Sequence, residues 1–459
     1  MASAVDLQKS SETVEEVNKK KKNRGLLDME SDKIRNRKVS VKKKKRSSFM
    51  PKFGCFRSED YGVPTVERSD GDGNFDMEST SVGVNRSPTH LLVMVNGIIG
   101  SSQNWRYAAK QFLKRYPQDV LVHCSECNYS TLTFDGVDVM GNRLAEEVIS
   151  VIRRYPGLQK ISFLSHSLGG LVSRYAIAKL YEESSQENGE YRTDESKDPF
   201  PEDKFKGKIA GLEPMNFITS ATPHLGSRGH KQTPAFCGFY SLEKAAAHAS
   251  SLLGRTGKHL FLRDGDNEKP PILLQMANDT DDLPFISALR SFRRRVAYAN
   301  ARHDHLVGWS TSSLRRRSEL PKRQNLSRID KYPHVVNVEL AKPMNTQEEM
   351  SLEGQVNVCK TIDMEEAMIR GLTKMSWERV DIDFSGTKQR LLAHSTIQAS
   401  FFFLFNLTTE SRKNIITSMS KMRFGGQPLE MDWNSLVKTY YVNSAGADVI
   451  QHTIDNFLL

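Results

Sequence analysis

The stretch Lys160-Ile-Ser-Phe-Leu-Ser-His-Ser-Leu-Gly-Gly170 decides the fold. An apolar, strand-like run at 161–164 leads directly into a serine-centred turn, and a helix-like segment follows the turn. This is the layout of a nucleophile elbow, a turn so tight that the residues two before and two after its central residue must be small. Gly169 meets this demand fully, and Ser165 meets it approximately because glycine is usual there. We therefore expect Ser167 at the tip, with its hydroxyl raised above the sheet edge.

The same pentapeptide also fits a serine-rich turn without chemistry, so its context has to decide between the two interpretations. Upstream, a buried strand at 91–95 ends in a loop that contains Gly97. In folds built around such an elbow, the loop after this strand donates one oxyanion-binding N–H, and the residue after the nucleophile donates the other. Glycine lets a backbone approach a ligand closely. The expected oxyanion donors are therefore the main-chain N–H groups of Ile98 and Leu168.

Strand-like and helix-like segments alternate through most of the chain. The strand-like segments are 91–95, 120–123, 161–164, 217–221, 296–299 and 380–384, and the helix-like segments include 105–116, 137–155 and 168–181. Continuous apolar strands separated by helices indicate a parallel sheet that is covered on both faces. The predicted fold class is α/β, specifically an α/β-hydrolase fold with a mostly parallel sheet, helices on both faces and a lid insertion.

Composition divides the 459 residues into a basic tail with a linker, 1–88, and an α/β-hydrolase domain, 89–459. Residues 1–46 hold fifteen Lys or Arg and seven Asp or Glu, a charge of +8 within a total of +10. Such a segment is expected to be disordered. Its role as a nuclear-import patch, a contact with anionic membrane or a solubilising arm stays open. The remaining chain is nearly neutral and requires no nucleic-acid partner.

The segment 227–290 is long for a connection between two strands, and it holds a helix-like run at 242–253 and an apolar run at 271–276. Long insertions above the carboxyl ends of strands form lids over active sites. Several of its apolar side chains line either an acyl pocket or the core of the lid itself. These are Leu252, Leu253, Leu260, Phe261 and Leu262.

Cysteine usage and hydropathy bear on location and cofactors. No apolar run is long enough to span a membrane, and no apolar region typical of a secretory signal follows the first basic run. Five cysteines are few and odd in number, which fits a reducing compartment.

Cys124 and Cys127 have metal-ligand spacing, but without a second pair they are expected to be strand-end residues rather than a zinc site. The expected location is cytoplasmic, in part at a membrane surface, with nucleus and plastid as alternatives.

The order of residues in this fold selects the partners of Ser167, because the serine is followed first by an acid and then by a histidine. The acid normally follows a late strand, and Asp304 lies just after the strand-like run 296–299. The base should follow the last strand, which makes His394 the expected base. His452 is the alternative, although it lies in 447–457, which is expected to be a surface helix. His166, beside the nucleophile, is expected to point away from the site.

In this scheme His394 takes the proton of Ser167, and Asp304 orients the imidazole and stabilises its charged form. The N–H groups of Ile98 and Leu168 hold the oxyanion of the tetrahedral intermediate. Chemistry of this kind needs neither a metal nor an organic cofactor.

Five segments, several of them discussed above, match one known family when they are taken together. They are Val93-Met-Val-Asn-Gly-Ile-Ile-Gly-Ser101, Leu164-Ser-His-Ser-Leu-Gly-Gly170, Thr222-Pro-His-Leu-Gly226, Tyr298-Ala-Asn300 with Asp304, and Trp377-Glu-Arg-Val-Asp381 with Ala393-His394. On these residues the chain resembles the putative serine esterase (lipase-like) family of eukaryotic α/β-hydrolases, from about residue 90 to residue 398. The resemblance implies hydrolysis of lipid carboxylic esters, with Ser167, Asp304 and His394 as the catalytic triad.

Residues 399–436 depart from the pattern of this family, and we expect them to be an insertion or a translated piece of intron, and in either case a poorly packed loop. The expected substrate is a lipid ester of the acylglycerol or phospholipid type. Two alternatives share the same sequence features. One is a protein-acyl thioesterase that uses the same triad, and the other is a non-catalytic scaffold that binds a partner or a membrane.

Overall fold

A computed structural model describes ten segments of the chain, and all of them belong to one compact unit, Tyr61–Leu459. The segments are 65–69, 75–79, 87–183, 207–227, 253–266, 269–341, 361–399, 423–424, 427–428 and 445–459. The basic tail, most of the helix expected at 242–253 and almost all of the insertion expected at 399–436 lie outside these residues.

The core of the molecule is one nine-stranded sheet with the spatial order β1-β2-β4-β3-β5-β6-β7-β9-β8. Its strands are β1 Thr65–Ser69, β2 Phe75–Ser79, β3 His90–Val95, β4 Val120–Cys124, β5 Lys160–His166, β6 Glu213–Ser220, β7 Arg294–Asn300, β8 Val335–Glu339 and β9 Glu378–Ile382. Six neighbouring strands, β4, β3, β5, β6, β7 and β9, are parallel to one another. Strands β1 and β2 extend the sheet at one edge and β8 at the other, and each of these three pairs with its neighbours in antiparallel fashion.

Helices cover both faces of this sheet. They are α1 Arg106–Arg115, α2 Val137–Arg154, α3 Leu168–Leu180, α4 Gly254–Leu260, α5 Ile272–Gln275, α6 Phe285–Arg290, α7 Trp309–Ser313, α8 Thr361–Leu372, α9 Ala393–Thr396 and α10 Ala447–Asp455. Helices α2 and α3 pack on one face, and α1 and α10 pack on the other. The predicted α/β-hydrolase fold, with a mostly parallel sheet between two helical layers, is confirmed.

Strand β3 shows why a continuous apolar run forms a central strand. Successive side chains of a strand point to opposite faces of the sheet. Leu91 and Val93 accordingly pack into the core beneath α2 and α3, whereas Leu92 and Met94 pack into the core beneath α1 and α10. All six residues of β3 are buried. Both faces therefore need apolar side chains, and alternation with polar residues disappears.

The connections place a crevice at the carboxyl ends of β3 and β5. From β3 the chain passes through α1 to β4 on one side, and from β5 it passes through α3 to β6 on the other side. Ligands of open α/β sheets bind where the strand order reverses in this way, outside the carboxyl ends of the strands. The loop after β3 and the elbow after β5 face each other at this position.

The first strands fall inside the segment that was expected to be a linker, so the domain begins earlier than the predicted residue 89. Their sequences, TVERS and FDMES, carry too much charge to be recognised as strands. Asp76 of β2 is nevertheless buried and accepts a hydrogen bond of 2.6 Å from Nδ1 of His123 in β4. Burial would lower the pKa of His123, but Glu147 and Asp76 raise it to about 9. A buried ion pair thus replaces apolar contacts at this edge.

The described part of the expected lid, 253–266 and 269–290, packs against the face covered by α2 and α3. Leu260 and Leu262 are buried in that core, and Phe261 packs against it. These side chains therefore act as core residues, and Leu252 lies outside the described residues. A two-residue ladder, Arg423–Phe424 with Gln427–Pro428, falls inside the expected insertion. Within the described segments, no helix has both the length and the hydropathy needed to cross a bilayer.

Candidate active site

Ser167 lies between the end of β5 and the first residue of α3, at φ 53° and ψ −126°. A serine with positive φ is uncommon, and such a conformation persists only where its surroundings enforce it. The N–H of Ser167 donates to the carbonyl of Ser220 in β6 at 2.9 Å, and the N–H of Gly170 donates to the carbonyl of Ser167 at 3.1 Å. The turn is therefore held from the neighbouring strand and from its own helix.

Close packing explains the small residues around Ser167. A Cβ atom on Gly169 would lie 2.5 Å from the carbonyl oxygen of Asn96, and one on Gly170 would lie 2.2 Å from Oγ1 of Thr222. The serine at position 165, where glycine is usual, is buried and its hydroxyl lies 2.8 Å from that of Ser173 in α3. The turn tolerates Ser165 because its hydroxyl has a partner.

The three side chains selected from the sequence lie together at the carboxyl edge of the sheet. Nε2 of His394 is 2.9 Å from Oγ of Ser167, and Nδ1 of His394 is 3.0 Å from Oδ2 of Asp304. An ionised carboxylate only accepts, so Nδ1 carries the proton and Nε2 is free to accept from the serine hydroxyl. This hydrogen-bond chain allows proton transfer from Ser167 to His394.

The carboxylate of Asp304 is buried and fully engaged. Oδ2 also accepts from Nδ2 of Asn300 at 2.9 Å, while Oδ1 accepts from the N–H groups of Leu306 at 3.0 Å and Val307 at 2.9 Å. Burial raises the pKa of Asp304, but the charge and hydrogen bond of His394 and the other donors outweigh it, so the pKa lies below its ordinary value. Asp304 is thus an anion at neutral pH, oriented toward His394.

The loop after β3 approaches the nucleophile closely. A Cβ atom on Gly97 would lie only 2.8 Å from Cβ of Ser167. The loop is held by Asn96, whose Nδ2 donates to the carbonyls of Gly97 at 3.2 Å and Asn128 at 3.0 Å. In the described segments, neither the N–H of Ile98 nor that of Leu168 donates to another residue. Both main-chain donors are available beside Ser167.

His166 does not point away from the site as expected. Its Nε2 lies 2.6 Å from the carbonyl oxygen of His394, and the centroids of the two rings are 4.8 Å apart. Since a carbonyl only accepts, Nε2 carries the proton. Burial and the neighbouring His394 lower the pKa of His166 to about 3, so the ring is a neutral donor. No feature of the sequence indicates this contact.

His452, the alternative base, is not part of this cluster. It lies on α10, which packs with α1 on one face of the sheet, and Nδ1 is 2.8 Å from the hydroxyl of Tyr298. Only 6% of the residue is exposed, so the expectation of a solvated surface histidine is wrong. The helix uses its apolar face and this histidine to cover the sheet.

The cysteines expected at the end of a strand have protein partners. Cys124 is buried in β4, and Sγ of Cys127 lies 3.3 Å from Nδ2 of Asn128 and 3.4 Å from Oγ of Ser125. Across the described segments no group of three His, Cys, Asp or Glu residues has an arrangement that could hold a metal ion.

Comparisons with known proteins agree with these features. The model of a family described as putative serine esterase (DUF676) matches residues 85–314, half of the chain, a range that includes Ser167 and Asp304 and ends before His394. The putative lipase ROG1 of Saccharomyces cerevisiae is 31% identical over 229 residues, which are 49% of this chain and 28% of that protein. The putative lipase C4A8.10 of Schizosaccharomyces pombe is 27% identical over 236 residues, 49% of this chain and 26% of that protein.

The chain therefore spans less than a third of the length of these curated relatives. Among solved structures, the lipase BlEst2 of Bacillus licheniformis in its propeptide form is 14% identical, with 51% of this chain and 40% of that chain covered. The TM-score of 0.31 is too low for this similarity to support a statement about the present chain.

Proposed function

Because the chain belongs to the putative serine esterase family, we propose that it is a serine hydrolase that cleaves carboxylic esters of lipids. The observation that carries this proposal is the hydrogen-bond chain from Ser167 through His394 to Asp304, with distances of 2.9 and 3.0 Å. A serine in a strained turn, within hydrogen-bond distance of an imidazole and next to two main-chain N–H groups that have no acceptor within the described segments, is suited to acyl transfer.

In the acylation step, Oγ of Ser167 attacks the ester carbonyl carbon and its proton passes to Nε2 of His394. The N–H groups of Ile98 and Leu168 stabilise the oxyanion of the tetrahedral intermediate, and Asp304 stabilises the imidazolium. The C–O bond to the leaving alcohol then breaks, and His394 returns the proton to that alcohol. In the second half of the cycle, His394 deprotonates a water molecule that attacks the acyl carbon. The bond from that carbon to Oγ of Ser167 then breaks, the acid leaves, and His394 returns the proton to Oγ.

The lipid character of the substrate is part of the proposal. It is supported by the names of the relatives, which are putative lipases, and by the family resemblance of the motifs. Acylglycerols and phospholipids are the proposed classes, and we propose that the basic N-terminal tail contributes a contact with anionic membrane. From the protein, the proposed reaction uses only side chains and main-chain N–H groups, and water is the second reactant.

The first test is labelling of the purified full chain with a fluorophosphonate probe, which reacts with activated serines. The wild type should be labelled, and Ser167→Ala should not, with ester turnover reduced on the order of 10⁶-fold. Ser165→Gly is the matched control in the same turn, because it restores the usual glycine and leaves the nucleophile in place. Equal labelling of the wild type and Ser167→Ala would contradict the assignment.

A substrate panel then separates the proposed activity from its alternatives. Lipid esters of several acyl lengths and acyl thioesters are offered at equal concentration to the wild type and Ser167→Ala. Turnover of lipid esters that depends on Ser167 supports the proposal. Turnover of thioesters alone would favour the thioesterase, and no turnover that depends on Ser167 would favour the scaffold.

A further inference from the structure

Exposed apolar side chains lie on both flanks of the site, after β4 on one flank and after β7 and β9 on the other. Tyr129, Leu306 and Leu391 are 46%, 52% and 50% exposed, and they follow the carboxyl ends of β4, β7 and β9. The carboxyl ends of parallel strands lie at one edge of a sheet, which is the edge that carries Ser167. Scattered apolar residues on a surface need no explanation, but a group that flanks a site does.

Each of these residues is joined to one part of the site. Tyr129 precedes Ser130, whose N–H donates to the carbonyl of Gly100 in the loop after β3 at 3.4 Å. Leu306 follows Asp304 by two residues. Leu391 precedes His394 by three residues and belongs to a short 3-10 helix, Lys388–Leu392. We call Tyr129, Leu306 and Leu391 the apolar rim.

The loops that carry the apolar rim after β7 and β9 contact each other. Nε2 of His303 lies 3.0 Å from Oγ of Ser385, and Nε of Arg302 lies 3.6 Å from Oδ2 of Asp383. These contacts place Leu306 and Leu391 on two adjoining loops. The two loops that carry these leucines are therefore joined to each other beside the site.

The surface beside the apolar rim is basic. Arg390 is exposed next to Leu391, and the guanidinium of Arg328 lies against Gly386 in the loop after β9. Arg302 is 35% exposed, whereas its partner Asp383 is 12% exposed, so the cation faces solvent more than the anion does. Apolar side chains flanked by guanidinium groups suit the boundary between phosphate headgroups and acyl chains.

We propose that the apolar rim and its arginines dock on the surface of an anionic lipid bilayer, with the elbow of Ser167 facing the lipid. The inference rests on the proposed function and adds the surface through which the protein reaches its substrate. Leucine side chains enter the headgroup boundary, and arginines bind lipid phosphates.

A leucine near the amino ends of the parallel strands, at the end of the sheet opposite Ser167, offers a matched control. Leu340 is 71% exposed and follows β8, which runs antiparallel to β9 and pairs Glu339 with Arg379 near the start of that strand. Leu340 therefore lies near the amino ends of the parallel strands, away from the apolar rim. It has the same side chain as Leu391 and is more exposed.

The test uses the full chain carrying Ser167→Ala, so that the lipid is not consumed and the result does not depend on turnover. Leu391→Trp and Leu340→Trp are mixed separately with vesicles of equal parts phosphatidylcholine and phosphatidylserine whose acyl chains are brominated. The fluorescence of the four native tryptophans is subtracted with the parent protein. Bromine should quench the tryptophan at 391 strongly and the one at 340 little. Equal quenching at both positions, or none at 391, would overturn the proposal.

Sedimentation with unbrominated vesicles of the same composition gives the affinity. Leu391→Ser should weaken binding about tenfold and Arg390→Gln about fivefold, and Leu340→Ser should leave binding unchanged. If none of these substitutions weakens binding, the membrane contact belongs to the N-terminal tail, and the proposal that the apolar rim docks on the bilayer is refuted. The same substitutions, made in the chain that keeps Ser167, are labelled with a fluorophosphonate in the absence of vesicles, and this labelling reports separately on the proposed chemistry.

Discussion

The contact between His166 and the backbone of His394 ties the residue before the nucleophile to the proposed base. The ring is neutral because its pKa is lowered to about 3, so it donates without adding a charge beside Nε2 of His394. A cation there would oppose formation of the imidazolium. His166 therefore acts as a positioning residue that fixes the backbone of His394.

His166→Phe keeps a ring but removes the donor, and it should lower kcat for a soluble short-chain ester roughly tenfold or more with little change in KM. His166→Gln retains an N–H donor and should recover part of the loss. Steady-state kinetics of both variants give the answer. If the glutamine variant is no better than the phenylalanine variant, the hydrogen bond to His394 is not what matters.

Gly169 gives a second prediction for a single residue. Gly169→Ala places a methyl group 2.5 Å from the carbonyl of Asn96, so it should destabilise the fold by about 2 kcal/mol or more and abolish fluorophosphonate labelling. Gly157→Ala is the control, because a Cβ atom at that position would meet nothing within 4 Å. Urea denaturation should leave the Gly157 variant within about 0.5 kcal/mol of the wild type. A stable, labelled Gly169→Ala protein would refute the steric argument.

Among the elements, strand β9 helps to hold the loop that carries Asp304, although it does not contact Asp304 through Asp381. At its carboxyl end the buried Asp381 accepts from Nε1 of Trp309 at 2.6 Å, Nη1 of Arg315 at 2.8 Å and Nδ2 of Asn337 at 2.8 Å. Trp309 begins α7, the helix that follows the loop of Asp304. Asp381 therefore fixes the far end of that loop.

Asp381→Asn removes one of the two carboxylates that pair with Arg315, and because Glu339 still pairs with the guanidinium at 3.0 Å, we expect a cost of about 2 kcal/mol. We expect a matching loss of stability and, at temperatures where the protein is still folded, a lower kcat because Asp304 is less well held. Glu378→Gln at the other end of β9 breaks the pair with Arg294 and should lower stability without lowering kcat. Equal effects of the two substitutions on kcat would exclude a role for Asp381 in the site.

The strands in the centre of the sheet could be predicted from the sequence, and those at its edges could not. Strands β3, β4 and β5 are apolar on both faces, so their signal is local. The sequences of β1 and β2 do not indicate strands by themselves. The carboxylate of Asp76 in β2 can be buried because it pairs with His123 of β4, which lies far away in the sequence. Strand β8 was also missed, because its sequence VVNVE is short and its outer half is only partly buried.

For the whole molecule, buried neutral histidines set the response to acid. Burial, with help from nearby cations, lowers the pKa of His90 to about 3 and that of His452 to about 4, and His166 is lowered to about 3. Below pH 6.5 the unfolded chain takes up protons at these positions and the folded chain does not. The contribution of these three histidines to stability is therefore complete above pH 6.5 and falls as the pH drops toward 4, whereas His123, whose pKa is raised to about 9, loses its contribution as the pH rises toward 9.

Each such histidine contributes up to about 2 kcal/mol to the loss of stability between pH 7 and pH 5. Urea midpoints measured across this range should fall steadily. His452→Gln can still bond to the hydroxyl of Tyr298 but does not titrate, so its midpoint should fall less steeply. A midpoint that is constant from pH 7 to pH 5, or an unchanged slope in the variant, would contradict this account.

The sequence predicts which three residues form the candidate site, from their order along the chain, but it does not predict the hydrogen bonds that hold them. The succession of serine, acid and histidine led to Ser167, Asp304 and His394, which lie within hydrogen-bond distance. The donors that hold Asp304 and the contact of His166 depend on loops whose conformation no local pattern specifies. Burial of His452 was missed for the same reason, because α10 packs against strands far away in sequence.

Ser167 and His394 are separated by 227 positions in the chain. During synthesis the serine leaves the ribosome long before the base exists, and contacts of such long range form late in folding. A nascent or prematurely terminated chain would carry the hydroxyl without a group to deprotonate it. Under the proposed function, a fluorophosphonate would then label only chains that extend past His394, and shorter fragments would not hydrolyse esters.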